Sequence, residues 1–320
     1  MADSHFLKDN LKGFVPTEIA PGIMDEIARG SATLQLSEVK PMKSDTMKFQ
    51  VWAEKPGAYW VGESERINTS KASWIFPTMT AKKIAVIIPV TKEKLNDTTI
   101  DVFSELKPQI AEAFYTAIDK ACLFGTSSPF EKNILGVATS SSNVITRESQ
   151  SLDLDISDVM GKLEDKNYDP NGFVGHYGLK RQIRNLRDQN GNQLAVLGMK
   201  ENSLYDLPLT FVRNGAFDTT NAELLCGDWS KSIVGIREGL EFEILKEATL
   251  QSVTMTDGKP LSLAENDMIA IKATMRLAYL PIKDDAFAVL KPAAMFSLKT
   301  SAEDTSIEDT KELKSKRKGK

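Results

Sequence analysis

Two histidines, two cysteines and four tryptophans are the residues of this chain best suited to chemistry. His176 could act as a general base, which needs a positioned partner and a pocket. Neither is visible around it, and the plain reading is an imidazole at a strand–helix junction. His5 stands in the polar N-terminal stretch, so no Cys/His spacing for a four-ligand metal site exists. Cys122 falls on a helical pattern and Cys226 in the apolar run Leu224-Leu225-Cys226, which reads as two buried thiols in a reducing compartment. A disulfide between them is the alternative, since distance in space is not readable from sequence. The phosphate-cradling GxxxxGKS/T, the dinucleotide GxGxxG and the nucleophile-elbow GxSxG patterns are all missing. The residues therefore point to no catalytic site, no cofactor and no metal. Arg181, Arg184 and Arg187 recur every three residues and could hold an anion. An exposed basic face that pairs with acidic residues of a neighbouring copy is the better reading. Trp52, Trp60, Trp74 and Trp229 could stack on a ring or a sugar. Three of the four sit in or beside one segment, residues 46–90. That favours packing at an interface, where aromatic anchors concentrate.

The elements around that segment explain why. Thr46 to Glu54 alternates, with Met47, Phe49, Val51 and Ala53 on one face, the pattern of a half-buried strand. A return strand spans Trp74 to Val90, with Pro77 at a bulge or edge. Between them runs a polar excursion of about 20 residues, long for a loop with no core of its own. It holds Pro56-Gly57, Tyr59, Trp60, Gly62 and Lys71. An isolated two-stranded hairpin is barely stable in water. A projecting hairpin whose aromatics bury against a neighbouring chain satisfies both facts. The alternative is a flap over the protein's own core.

The remaining pattern is of the α+β class. Ile23 to Arg29 forms a short helix that Gly30 stops. Val102/Phe103, Leu106, Ile110, Ala113/Phe114, Ala117/Ile118 and Ala121 recur at steps of three and four. This is a long helix, capped by Thr99 or Asp101, ended by Gly125, and kinked or restarted at Pro108. Glu112 and Asp119 fall on its solvent side. A strand over Ile134–Thr139 leads into a Ser-rich loop. Helices follow at Ile156–Lys166 and Tyr177–Arg187, with a tip loop at Asp188–Asn192. Strands lie near Gly172–His176, Leu207–Arg213, Glu223–Asp228, Ser232–Arg237 and Leu240–Leu245. A long strand covers Met268–Tyr279, and a short helix spans Asp284–Leu290.

The chain has 320 residues, 41% of them hydrophobic and 26% charged, which is enough apolar material for a real core. Its formal net charge of −4 provides no global basic field to recruit nucleic acid, so DNA nearby would be enclosed rather than gripped. The N-terminus has no apolar signal core, and no stretch reaches the roughly 20 apolar residues of a membrane span. The expectation is a protein made in the cytoplasm. An acidic patch (Glu303, Asp304, Glu308, Asp309) precedes six basic residues among the last ten, a solvated charged tail.

Trp52-Ala53-Glu54-Lys55-Pro56-Gly57-Ala58-Tyr59-Trp60-Val61-Gly62-Glu63, Thr69-Ser70-Lys71-Ala72 and Pro89-Val90-Thr91-Lys92-Glu93 resemble major capsid proteins of tailed bacteriophages. So do Lys107 to Tyr115 and Asn266-Asp267-Met268 through Arg276-Leu277-Ala278. The resemblance covers most of residues 20–298. It implies an N-terminal arm (1–32), an extended hairpin loop (44–90) and a peripheral domain with a long spine helix (33–43, 91–130 and 246–299). An axial domain (131–245) would cluster around five-fold and six-fold axes, and 300–320 would be the disordered charged tail. Copies would form hexamers and pentamers of an icosahedral shell enclosing double-stranded DNA, with a portal protein. A separate scaffolding protein is implied, because only about 20 to 30 residues precede the matching region, too few for a built-in scaffold. Some members of this family join a loop lysine to an asparagine of another subunit, with a buried glutamate as base. Here Asp267 precedes Met268, Thr274 takes the glutamate position and Asn266 falls on the wrong face. No isopeptide bond is expected, although Lys55 and Lys71 are on the loop.

Three readings follow. The first is a viral shell subunit whose work is packing and conformational change. The second is an encapsulin, a cellular compartment of the same fold, which a cargo peptide in the lumen would reveal. The third is a soluble enzyme with a flap, which would be a compact monomer or small oligomer with a defined pocket.

Overall fold

The computed structural model describes residues 19–54, 56–66, 69–92, 102–147, 152–186, 202–213, 215–255 and 258–293. The N-terminal stretch before Ile19, Lys55, Arg187, the tip loop Asp188–Asn192 and the charged tail lie outside them.

Helix α1 (Ile19–Gly30) buries Ile23 and Ile27 one turn apart. Its last residue must be glycine for close packing, since a Cβ there would sit 2.3 Å from the Tyr115 ring. Ser31 then caps α2 (Ala32–Leu36), its Oγ accepting the Leu34 N–H at 3.2 Å. Strand β1 (Glu38–Pro41) leads to the hairpin. The hairpin is built as two short ladders, β2 (Thr46–Lys48) on β5 (Thr78–Thr80) and β3 (Val51–Glu54) on β4 (Ser73–Ile75). The two long strands expected there are thus broken, and the return arm breaks at Pro77, which has no N–H to give. Pro77 O instead accepts the Phe49 N–H at 3.0 Å. Strand β6 (Lys82–Thr91) completes the return.

Helix α3 (Val102–Asp119) runs through Pro108 as one assigned element and passes into a π-turn, Lys120–Phe124. Gly125 stops it at φ +72°, where a side chain would also strike Asn133. Two expectations fail here. Asp119 is not on the solvent side; it is 1% exposed. Its carboxylate accepts from Ser31 Oγ at 2.7 Å, Ala32 N at 3.0 Å and Thr33 N at 3.1 Å, so it caps α2 from a distance. Its partners lie nearly ninety positions earlier, so no local pattern announces them. Residues 134–140 form a helix, α4 (Ile134–Ser140), and not a strand. Asn133 caps it by accepting the Gly136 N–H at 2.7 Å, and Ile134, Val137 and Ala138 bury one helical face despite their β-branched neighbours.

The chain continues through β7 (Val144–Thr146), α5 (Leu152–Glu164), β8 (Gly172–His176) and α6 (Leu179–Arg184). Then come β9 (Ser203–Leu204), β10 (Leu207–Val212), β11 (Leu224–Gly227), β12 (Ser232–Leu245), β13 (Thr249–Thr254), β14 (Pro260–Ser262), β15 (Met268–Pro281) and β16 (Phe287–Lys291). The strands expected at 232–237 and 240–245 are one strand with two irregularities of register, at Ile236/Glu238 and Glu238/Glu241. The helix expected at 284–290 is a single 3₁₀ turn, Asp284–Ala286, followed by β16. Phe287 through Leu290 are all buried because β16 runs inside a sheet, where both faces are covered.

Two sheets organise the molecule: β1-β12-β15-β6 and β7-β16-β11-β8-β10-β9. Residues 232–245 therefore belong with 82–91 and 268–281, while 287–291 belongs with 144–227, so the sheets cross the boundaries read from sequence. On the first sheet, Ile110, Phe114 and Ile118 of α3 share a core with Ala273, Met275 and Leu277 of β15. On the second, Ile156, Val159 and Leu163 of α5 pack with Phe173, Cys226 and Leu290. Cys122 and Cys226 are unpaired buried thiols in separate cores, and burial pushes both thiols up in pKa.

Candidate functional site

Among the described residues, large aromatic side chains collect on the outside at the hairpin. Its base is closed: Met42, Met79 and Ala81 join Ile233, Ala278 and Leu280 in a small core, with Met47 and Phe49 against it. Further out that support ends. Trp52 and Trp74 face each other across the β3–β4 ladder, ring centroids 3.3 Å apart, and both stay exposed. The Lys283 ammonium donates to the Trp52 carbonyl at 2.8 Å and ties this ladder to the segment after β15.

Beyond the ladder the described residues of the tip make hydrogen bonds, and all of them are exposed. The Gly57 N–H donates to Ser70 Oγ at 2.7 Å, bracing the two sides of the loop. A turn closes on Gly62, whose N–H donates to Glu65 Oε2 at 3.1 Å, while Glu65 N–H donates back to the Gly62 carbonyl at 3.2 Å. Ser64 inside that turn takes φ +68°. Tyr59 is 57% exposed, and Trp60 touches almost nothing, at 104%. Pro56, Gly57 and Lys71 are exposed as well. Sequence reasoning missed Ile75 (46%) and Phe76 (59%), which extend the apolar surface. The signal was there: Trp74-Ile75-Phe76 are three consecutive apolar residues, and a strand with one buried face can hide only alternate ones.

The arginine row is placed elsewhere. Arg181 and Arg184 are exposed on α6, a helix of six residues beside β8, in the half built on the six-stranded sheet. The structure does not bring them to the hairpin, and Arg187 lies outside the described residues. His176 ends β8 and accepts the Gly178 N–H on Nδ1 at 3.1 Å, the strand–helix junction read from sequence. Trp229 is buried, apart from the other three tryptophans.

The positions that could form a covalent link hold other partners. Lys92 pairs with Asp267, which adopts φ +49° in a turn. Asn266 Nδ2 donates to the Ser262 carbonyl at 2.7 Å. Thr274 faces Ala85 and Glu241 across its two ladders, and Glu241 is exposed rather than buried. Among the described residues no group of three or more His, Cys, Asp or Glu is placed to hold a metal ion. No helix of the described residues is long and apolar enough to cross a membrane.

What the arrangement can do is bind by surface. An aromatic side chain carries about 150–250 Å² of surface. Burying one of Phe size contributes about 1.5–3 kcal/mol. Tyr59, Trp60, Ile75 and Phe76 hold that contribution in reserve.

The comparisons with known proteins identify the family. The model of the family described as "Phage capsid family" matches residues 12–291. The chain is 36% identical over 292 residues to the major capsid protein of Staphylococcus phage 80alpha, covering 91% of this chain and 89% of that protein. A solved structure from Microbacterium phage Oxtober96 superposes with a TM-score of 0.74 at 30% identity, over 82% of this chain and 91% of that one. The capsid of an empty GTA particle gives a TM-score of 0.62 at 14% identity, over 83% and 90%, and shows likeness of fold alone.

Proposed function

Because this chain belongs to the phage capsid family, we propose that its copies complete one another's surfaces to build hexamers and pentamers of an icosahedral shell around double-stranded DNA. That the chain is a phage major capsid protein is the established part. The observation that carries the rest is the hairpin with Tyr59, Trp60 and Phe76 exposed and a base locked into the subunit's own core. A lone soluble protein has no use for a fully exposed tryptophan at the end of a braced arm, whereas an assembling one seats it on a neighbour. Pro56, Gly57, Lys71, Trp52 and Trp74 would line the same contact. Arg181, Arg184 and Arg187 would face acidic residues of a different neighbour.

The four-stranded sheet with α3 would form the peripheral part of the subunit, and the six-stranded sheet the part nearest the symmetry axes. A scaffolding protein and a portal complete the assembly in this reading. The net charge of −4 suits a lumen that repels packaged DNA rather than holding it. The contacts would be non-covalent, given the partners already held by Asp267 and Asn266. Mature particles boiled in SDS then run as one monomer band, and a ladder would sink that part of the proposal. Identity to a phage major capsid protein over nearly the whole chain favours a virion over an encapsulin.

The direct test replaces Tyr59 and Trp60 together with alanine. The variant should keep the circular dichroism and unfolding midpoint of the parent as a free subunit, yet yield no closed shells by sedimentation and negative-stain microscopy. Shells of normal size and yield would overturn the proposal.

A further inference from the structure

A cleft of about 380 Å³ opens where the end of α1, the C-terminal half of α3, the start of α6 and the end of β10 meet. Its charged lining residues are Arg29, Lys180 and Arg213, and among the described residues no carboxylate lines it. None of the three takes part in an ion pair among the described residues. Lys180 Nζ lies 5.1 Å from the Tyr177 ring centre and 4.7 Å from that of Phe211, and the Arg213 guanidinium lies 5.5 Å from Tyr177. Ring faces hold cations in place without neutralising them. In a chain whose net charge is −4, three cations gathered without a counter-charge among the described residues form a site for an anion.

The topology brings a candidate anion to the same edge. Strand β11 is antiparallel to both β16 and β8, and β10 is parallel to β8, so β16, β8 and β10 all point one way. Leu290, Leu224, Gly175 and Phe211 lie in one row across these strands. Three strand spacings put Leu290 about 14 Å from Phe211, beside the cleft. The chain leaves β16 at Lys291 on this edge, and the stretch from Ala293 to Glu303 reaches up to about 33 Å. The residues it delivers are Glu303, Asp304, Glu308 and Asp309.

We propose that this cleft is the docking site for the acidic stretch 303–309 of the C-terminal tail, whose carboxylates pair with Arg29, Lys180 and Arg213. Docking would fasten the tail across α1, α3 and the six-stranded sheet at once, so the tail reports on, and resists, any shift among them. The reach allows the tail of the same subunit or of an adjoining copy.

Zero-length carbodiimide cross-linking of the full chain at low salt, followed by peptide mass spectrometry, tests this. The result expected is an amide between Lys180 and one of Glu303, Asp304, Glu308 or Asp309, with a yield that falls severalfold at high salt. Lys180→Arg keeps the charge and must abolish the link. Neutralising the four acidic residues to Gln and Asn must abolish it too, and Arg29→Glu with Arg213→Glu must weaken it. Mixing isotopically light and heavy chains before assembly separates the same-subunit from the adjoining-subunit source. No link at low salt, a link to Asp188 or Glu201 instead, or a link that survives neutralisation of the tail would overturn the proposal.

Discussion

Trp229 and Trp60 are the same residue type in opposite situations. Trp229 is 1% exposed, donates its indole N–H to the Gly172 carbonyl at 3.0 Å and meets Phe287 edge-on at 5.6 Å. Trp60 is fully exposed. The difference teaches how the chain divides its work. The sheets and their helices finish their own cores, and stability of the subunit resides there. The hairpin is closed at its base, while Tyr59 and Trp60 at its tip add no burial to the subunit. Substitutions in the two regions should therefore fail in different ways.

The largest effect belongs to the closed region. Trp229→Ala removes a buried aromatic and its hydrogen bond, and should cost about 3–5 kcal/mol of subunit stability. A urea titration of the free subunit would show it as a large drop in midpoint; an unchanged midpoint would break the comparison. Asp119→Ala comes next. It strands Ser31 Oγ and the N–H groups of Ala32 and Thr33 in the interior, at about 2–3 kcal/mol in total. The same titration reads it.

Asp119→Asn sharpens that result through pH. Burial outweighs the hydrogen bonds and raises the Asp119 carboxyl above its ordinary 3.8. The folded state then holds this proton more tightly than the unfolded chain does. The stabilisation this gives is whole below pH 3.8 and is lost as pH rises through the folded value. The wild type should lose stability relative to Asp119→Asn over that rise, and parallel curves would refute the assignment.

At the hairpin the order reverses. Trp60→Ala should change free-subunit stability by less than about 0.5 kcal/mol. It should weaken the contact between copies by about 2 kcal/mol or more, read as a raised critical concentration for assembly. The smallest effect is expected for Ser70→Ala, which removes the brace on Gly57 at an exposed site. It should leave the folded subunit untouched and slow assembly slightly, measured by light scattering.

How much of this was legible beforehand depends on how local each cause is. The hairpin could be read because Pro56-Gly57, the alternation before it and the unshielded aromatics lie within one stretch of sequence. Gly125 as the end of the long helix and His176 at a junction were readable for the same reason. The segments at 134–140 and 287–291 were misread because a short apolar run has no period of its own, and only its surroundings choose helix or strand. Asn133 was a local cue for α4 that the β-branched residues after it obscured. Asp119 had no cue at all, since the groups that hold it are brought there by the fold. The outward apolar surface of Ile75 and Phe76 was visible in principle, in a triplet that alternation cannot hide. The cleft at Arg29, Lys180 and Arg213 joins positions nearly two hundred apart and could not have been read from spacing.

Strand β16 has a further consequence for timing. It fills the slot between β7 and β11, two strands made well before it. At a synthesis rate of about 5–20 residues per second, a nascent chain waits several seconds with those two edges unpaired. The six-stranded sheet cannot close until Phe287–Lys291 have been made. A product that stops before β16 therefore leaves β7 and β11 without the strand that joins them.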